Sequence, residues 1–277
     1  MMKDKPLPPR DVTLDDAQRS APSTPDMWAT LRQATKARIG LGRAGNAIPL
    51  AEVLKFQAAH ARARDAVHAA LDVETLEARL APLSVLKVES QAPDRSTYLR
   101  RPDLGRLLAP RDEETLKAAA NEPYDIVFVV ADGLSSTAVG NHAAALVHVC
   151  RAALPDLRIA PVVIARQARV AIADPIGEHL RARLSVVLIG ERPGLTVSDS
   201  LGLYMTYGPR PGRRDSERNC ISNIHTHGGQ SYEQAARTLS WLVREAFRLS
   251  LSGINLKDDL PSDTIGQAPD VAQIPKS

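Results

Sequence analysis

The sequence predicts an α/β protein in which an N-terminal helical region is followed by a parallel sheet with flanking helices. Three observations predict it. Apolar residues recur at helical spacing between Leu50 and Leu71, the pattern of an amphipathic helix. A compact β-branched run at 125–131 is bounded by Pro123 and by Asp132-Gly133, as in a strand buried on both faces. After it, strand-like and helix-like segments alternate, which is how parallel strands joined by crossover helices read in sequence.

The 277 residues leave room for one large domain or two modest ones, at roughly 150 residues per domain. Residues 1–26 hold Pro6, Pro8, Pro9, Pro22 and Pro25 among mixed charges with no continuous apolar stretch. They read as a flexible arm, not an export signal. Residues 27–119 form the helical region, in which Leu50, Val53, Leu54, Ala58, Ala61, Ala66, Val67 and Leu71 alternate with Lys55, Arg62, Arg64 and Asp65. Residues 120–254 change period and form the sheet domain. The strand at 125–131 is followed by Ser135, Ser136 and Thr137 as caps and by an alanine-, valine- and leucine-rich helix at 138–154, stopped by Pro155. Further strands are expected at 159–165 and 184–189, with a short helix at 176–183 between them. An amphipathic helix is expected at 231–250. Residues 255–277 are polar, carry Pro261, Pro269 and Pro275, and read as a second flexible tail.

Composition excludes several functions. Lys and Arg number 35 against 32 Asp and Glu, without the dense basic run that tracks a phosphate backbone. Aromatic residues are 4% of the chain, too few for a base-stacking platform. Nucleic acid is therefore not the expected partner. No stretch of about 18 apolar residues occurs, so no membrane span is expected. Two cysteines, Cys150 and Cys220, make neither a metal-ligand pattern nor a disulfide framework, and a reducing, cytoplasmic compartment is expected.

In an open α/β sheet, ligands sit outside the carboxyl ends of the strands. Three polar loops should converge there: 132–136, 166–170 and 190–195. They bring Asp132, Ser135, Arg169, Val170 and Glu191 to one rim. The alternative is structural: Asp132 and Ser135 only cap a helix, and Glu191 only pairs with Arg192 or another surface charge. A fourth segment, 208–224, is long and charged, and such loops are functional or disordered. Cys220, Ile221 and Ile224 are apolar enough to be buried, which favours order. A nucleophilic Cys220 would need a positioned imidazole, and proximity in sequence to His225 and His227 establishes none. Burial as a small apolar residue is the simpler reading. The seven histidines form no paired-ligand motif, and no Gly-x-Ser-x-Gly elbow occurs. The glycines of 38–46 lack the spacing of a dinucleotide loop and the lysine of a triphosphate loop. They read as a structural turn or a partner-facing loop.

Six segments also carry a resemblance. Arg38-Ile39-Gly40-Leu41-Gly42-Arg43-Ala44-Gly45, Tyr98-Leu99-Arg100-Arg101-Pro102-Asp103-Leu104-Gly105, Ala131-Asp132-Gly133-Leu134-Ser135, Gln167-Ala168-Arg169-Val170, Leu188-Ile189-Gly190-Glu191-Arg192-Pro193-Gly194-Leu195 and Glu217-Arg218-Asn219-Cys220-Ile221-Ser222-Asn223 resemble the small (light) subunit of adenosylcobalamin-dependent ethanolamine ammonia-lyase. The resemblance covers about residues 37–250. Gly40 and Ala173 depart from the family pattern, as does the link at 225–230.

The resemblance implies a Rossmann-like domain at 120–254 that holds adenosylcobalamin against a large subunit carrying the substrate site. It implies Val170, Glu191 and Cys220 as cofactor contacts, with Arg169, Asp132 and Ser135 as weaker candidates, and neither a catalytic residue nor a metal ligand from this chain. No Asp-x-His-x-x-Gly occurs, so the implied cofactor mode is base-on. The implied reaction is radical deamination of ethanolamine to acetaldehyde and ammonia, by a hetero-oligomer in the cytoplasm, with a bacterial microcompartment left open. Two rivals stay open from the residues alone: a nucleotide-binding enzyme, and a non-catalytic adaptor using the same α/β rim.

Overall fold

A computed structural model of the chain describes residues 26–257. The arm expected over residues 1–26, apart from Asp26, and the tail beyond residue 257 lie outside the described residues. The chain divides into two units, 1–55 and 56–277.

The first unit contains α1 (Ala29–Ala34) and the glycine-rich segment. Gly40, Gly42 and Gly45 all have positive φ, the conformation glycine adopts without steric cost. At Gly40 a Cβ would run into the Trp28 side chain. Ala44 and Ala47 exchange backbone hydrogen bonds of 2.8 and 3.2 Å across a tight turn. No strand precedes these glycines in the described part of the unit, and they work as turns. The helix α2 (Leu50–His68) begins here and runs into the second unit.

In the second unit, α3 (Val73–Leu80) starts where Asp72 accepts a hydrogen bond from Thr75 N at 3.0 Å, an ordinary N-cap. The strand β1 (Val85–Glu89) follows, then α4 (Arg95–Arg100), capped by Asp94, and α5 (Pro110–Ala119), with proline in its first turn. The run at 125–131 is β2 (Tyr124–Ala131). After it come α6 (Ser136–Ala138), a π-helical segment Val139–Ala143 and α7 (Ala144–Ala152). The rest is β3 (Val162–Arg166), α8 (Ala173–His179), β4 (Ala182–Gly190), β5 (Leu201–Tyr207), β6 (Arg218–Ile224) and α9 (Tyr232–Leu249).

These strands make one six-stranded sheet in the order β1-β3-β2-β4-β5-β6. Strands β1 to β4 are mutually parallel, while β5 adds antiparallel to β4 and β6 antiparallel to β5. The fold is thus α/β as expected, with four corrections. The region 27–119 is not wholly helical, because β1 lies in it and pairs with β3. The helix expected at 176–183 is Ala173–His179, and Ala182 already belongs to β4. The far end of the 208–224 segment is strand β6, in which Ile221 and Ile224 are buried but Cys220 is exposed. The tail also begins later than residue 255, since Leu256 is buried in the core.

Residues 126–131 are buried completely, and their alternating side chains feed two cores. Ile126, Phe128 and Val130 pack with α3, α7 and α9. Val127, Val129 and Ala131 pack with α5 and α8. On this second side α5 and α8 sit against β1 and β4, and the antiparallel extension leaves Cys220 of β6 exposed. No helix among the described residues is long and apolar enough to cross a membrane.

Candidate functional site

The loops that leave β2, β3 and β4 are stitched to one another. Asp132, the residue after β2, accepts hydrogen bonds from Gln167 N at 2.8 Å and Ala168 N at 2.9 Å. Arg95 Nη1 stands 3.7 Å from its carboxylate. Burial pushes the Asp132 carboxyl upward, while the two amides and Arg95 pull it back. Ser135 caps α6 by accepting from Ala138 N and donates to Ser198 O at 2.9 Å. Gly133, at φ +59°, lets the first and third loops touch, because a Cβ there would lie 2.4 Å from Gly190 O. Asp132 and Ser135 therefore spend their polar groups on the fold.

A pocket of about 320 Å³ is lined in part by Pro102, Arg106, Arg169, Val170, Tyr204 and Cys220. Sequence-distant residues meet here for a topological reason. Arg169 and Val170 follow β3, whereas Tyr204 and Cys220 are cross-strand partners on β5 and β6. Tyr98 of α4 is completely buried and holds Arg169, whose guanidinium lies 4.5 Å from the ring centroid, with Arg95 at 4.8 Å. Such cation–π contacts fix a long side chain at modest entropic cost. The Tyr98 hydroxyl donates to Ala168 O at 3.2 Å, and burial raises its pKa to about 12. Arg169 Nε is buried without a hydrogen-bond partner.

Glu191 is half-buried beside the pocket. Its carboxylate accepts from Ser200 Oγ at 2.6 Å and from Asn223 N at 3.3 Å, which ties the end of β4 to β5 and β6. Partial burial raises the Cys220 thiol; hydrogen bonding with Tyr204 lowers it, and the Glu191 charge raises it further. Of the six candidates, Arg169, Val170 and Cys220 share the pocket, Glu191 adjoins it, and Asp132 and Ser135 support it. Burial and the Glu191 charge raise the Cys220 thiol, the opposite of what an activated nucleophile needs. Among the described residues no cluster of three or more His, Cys, Asp or Glu suits a metal ion.

The sequence reading missed three contributors. Arg218 is buried and makes a bidentate pair with Asp174, at 2.8 and 2.7 Å, while also donating to Thr206 Oγ1 at 2.8 Å. Burial raises the Asp174 carboxyl and the two hydrogen bonds from Arg218 oppose that. The pair pins α8 to β6, and Arg218 lines the pocket. Tyr204 was visible only as the residue out of phase with Leu201, Leu203 and Met205, which face the other core. Arg106, in the 3-10 turn Leu104–Arg106, gave no signal.

Comparison with known proteins bears on this site. The family model described as ethanolamine ammonia-lyase light chain matches residues 25–257. The chain is 51% identical over 264 residues to the ethanolamine ammonia-lyase small subunit of Xanthomonas campestris pv. campestris, covering 90% of this chain and 96% of that one. It is 48% identical over 244 residues to the small subunit from Rhodococcus erythropolis, covering 87% and 93%. With that from Pseudomonas syringae pv. tomato it shares 46% over 263 residues, covering 92% and 91%. A match along nearly the whole described chain, through every loop of the pocket, shows that this protein belongs to the ethanolamine ammonia-lyase light-chain family and is the small subunit of an ammonia-lyase.

Proposed function

We propose that this subunit holds adenosylcobalamin, base-on, against the large subunit, in the conversion of ethanolamine to acetaldehyde and ammonia. The observation that carries the reading is the pocket itself, where Arg169, Val170 and Cys220 meet from two ends of the domain. Its chemistry fits a corrinoid. Val170 and the Cys220 side chain offer an apolar surface to the ring, and the unpartnered Arg169 Nε offers a buried donor to a peripheral amide carbonyl. Glu191 offers a carboxylate to amide N–H groups.

When bound, the cofactor supplies the radical that initiates deamination, chemistry no side chain provides. The residues of this chain bind and orient. Asp132 fixes the β3 loop that carries Arg169 and Val170, Tyr98 fixes the Arg169 side chain, and Glu191 fixes the strand end next to Cys220. A pocket of about 320 Å³ is smaller than a corrinoid, so the remaining surface must be covered by the partner. Water exclusion at the reacting groups follows from that closure.

The test is corrinoid affinity in the complex of both subunits. Val170→Trp, which fills the apolar surface, and Glu191→Ala are each expected to weaken hydroxocobalamin binding, read by equilibrium dialysis, with the subunits still co-purifying. Unchanged affinity in both variants removes the corrinoid assignment. A nucleotide site at Gly40 to Gly45 has no structural support, because those glycines close turns with no strand before them among the described residues.

A further inference from the structure

The corrinoid pocket carries an excess of positive charge. Three arginines line it: Arg106, Arg169 and Arg218. Arg218 is consumed by Asp174 and by Asp215, whose carboxylate is 3.3 Å from Nε. Asp215 is the single carboxylate in the lining. Neighbouring acids are spoken for elsewhere, Asp103 by Arg101 and Glu113 by Lys117. Arg106 and Arg169 have no carboxylate within ion-pair distance among the described residues. Arg106 is exposed, stands at the junction with a second cavity of about 470 Å³ that it also lines, and makes no side-chain hydrogen bond within the described chain. Arg169 keeps a buried Nε without a partner on a guanidinium fixed over Tyr98.

A pair of uncompensated guanidinium groups at one mouth calls for an anion, and arginine's planar fork suits phosphate oxygens. The periphery of a base-on cobalamin is neutral amide except at one place, the phosphodiester of the nucleotide loop. We infer that Arg106 and Arg169 form the seat of that phosphodiester, so that this subunit reads the nucleotide tail of the corrinoid as well as its ring. The inference rests on the corrinoid reading above and deepens it. It assigns Arg106 a binding role and gives Arg169 a partner chemistry. It also makes the 470 Å³ cavity beside Arg106 the space into which the tail extends.

The experiment compares hydroxocobalamin with dicyanocobinamide, which has the ring but no nucleotide loop, on the complex of both subunits. Affinities are read by equilibrium dialysis and by the corrin absorption spectrum. Arg106→Ala is expected to weaken hydroxocobalamin about tenfold to a hundredfold, the range for charge-assisted hydrogen bonds, and to leave cobinamide unchanged, while Arg169→Ala, which also loses the ring-edge amide contact, weakens both corrinoids and hydroxocobalamin the more. Arg106→Lys should restore part of the loss. Arg106 is exposed, so its variants test the idea even if Arg169→Ala disturbs the packing on Tyr98. Equal losses for both corrinoids, or none for either, overturn the phosphodiester seat while leaving the ring site standing. Failure of the wild-type complex to bind either corrinoid overturns the underlying reading as well. A third arm adds inorganic phosphate alone: weak competition with hydroxocobalamin and none with cobinamide is expected. Phosphate binding that leaves both corrinoids undisturbed shows that the arginines serve free anions and overturns the assignment.

Discussion

Cys150 and Cys220 show how environment separates two chemically identical side chains. Cys150 is completely buried on α7, and desolvation raises its thiol to about 12. Cys220 is exposed, yet partial burial and the Glu191 charge also raise it, against hydrogen bonding with Tyr204. The thiolate is the reactive species, so a raised pKa lowers its fraction at neutral pH and moves the rise in reactivity to more alkaline pH. Iodoacetamide is expected to label one cysteine of the native subunit, more slowly than a free thiol at pH 7.5, with a midpoint above the ordinary thiol range. Cys220→Ser should abolish the labelling, and bound cobalamin should protect against it. Rapid labelling at neutral pH would contradict this environment. Residue identity alone could mark Cys220 as noteworthy, but the exposure came from β6 pairing, which turns Ile221 and Ile224 inward and Cys220 outward. Ser135 was legible in its structural alternative: it does cap a helix.

At the scale of elements, legibility followed hydrophobic pattern. The fully buried β2 and the capped α9 stood out, the latter because Ser231 and Gln234 form a capping box ahead of six buried apolar residues. Strand β1 did not, since Lys87 and Glu89 interrupt it and Val88 is its single buried side chain. An edge strand of that kind owes its conformation to β3, which local propensity cannot report. The β6 strand was masked for another reason: it opens with Arg218-Asn219, polar residues that read as loop. Arg218 is there to hold α8, through Asp174. Removing one member of a buried pair leaves an uncompensated charge, so Asp174→Ala is expected to cost about 3–5 kcal/mol. The double substitution Asp174→Leu with Arg218→Met should recover much of that loss, because the pair need not exceed a well-packed apolar contact. Urea unfolding of the three proteins checks this. A double variant as unstable as the single one would show that α8 needs the pair itself.

For the whole molecule, the distribution of apolar surface separates the part that folds on itself from the part that is unfinished alone. Val127, Phe128, Val186 and Leu188 exemplify a sheet domain whose large apolar residues are almost all buried. The segment from Met27 to Phe56 is the reverse. Trp28, Leu31, Ile48, Leu50, Leu54 and Phe56 are each 46% exposed or more, and α1 buries none of its residues. The helix beginning at Leu50 was legible in sequence, but its buried face is Ala59, Ala63 and Ala66, whereas Ala58 and Ala61 of the expected stripe are exposed, and sequence could not say whether this chain or another covers Leu50 and Leu54. Concentrated exposed apolar surface marks an interaction site or an association hazard, and a small subunit has a partner to offer. The isolated chain is therefore expected to self-associate, with apparent mass rising with concentration in sedimentation. Leu50→Glu with Leu54→Glu should suppress that rise, because two charges on one helical stripe oppose burial against another apolar face. The same double variant should co-purify less well with the large subunit, since both associations would use the stripe. A variant that stays self-associated, or one that binds the large subunit as tightly as the unmodified chain, would show that the exposed stripe is not the surface by which this subunit completes itself.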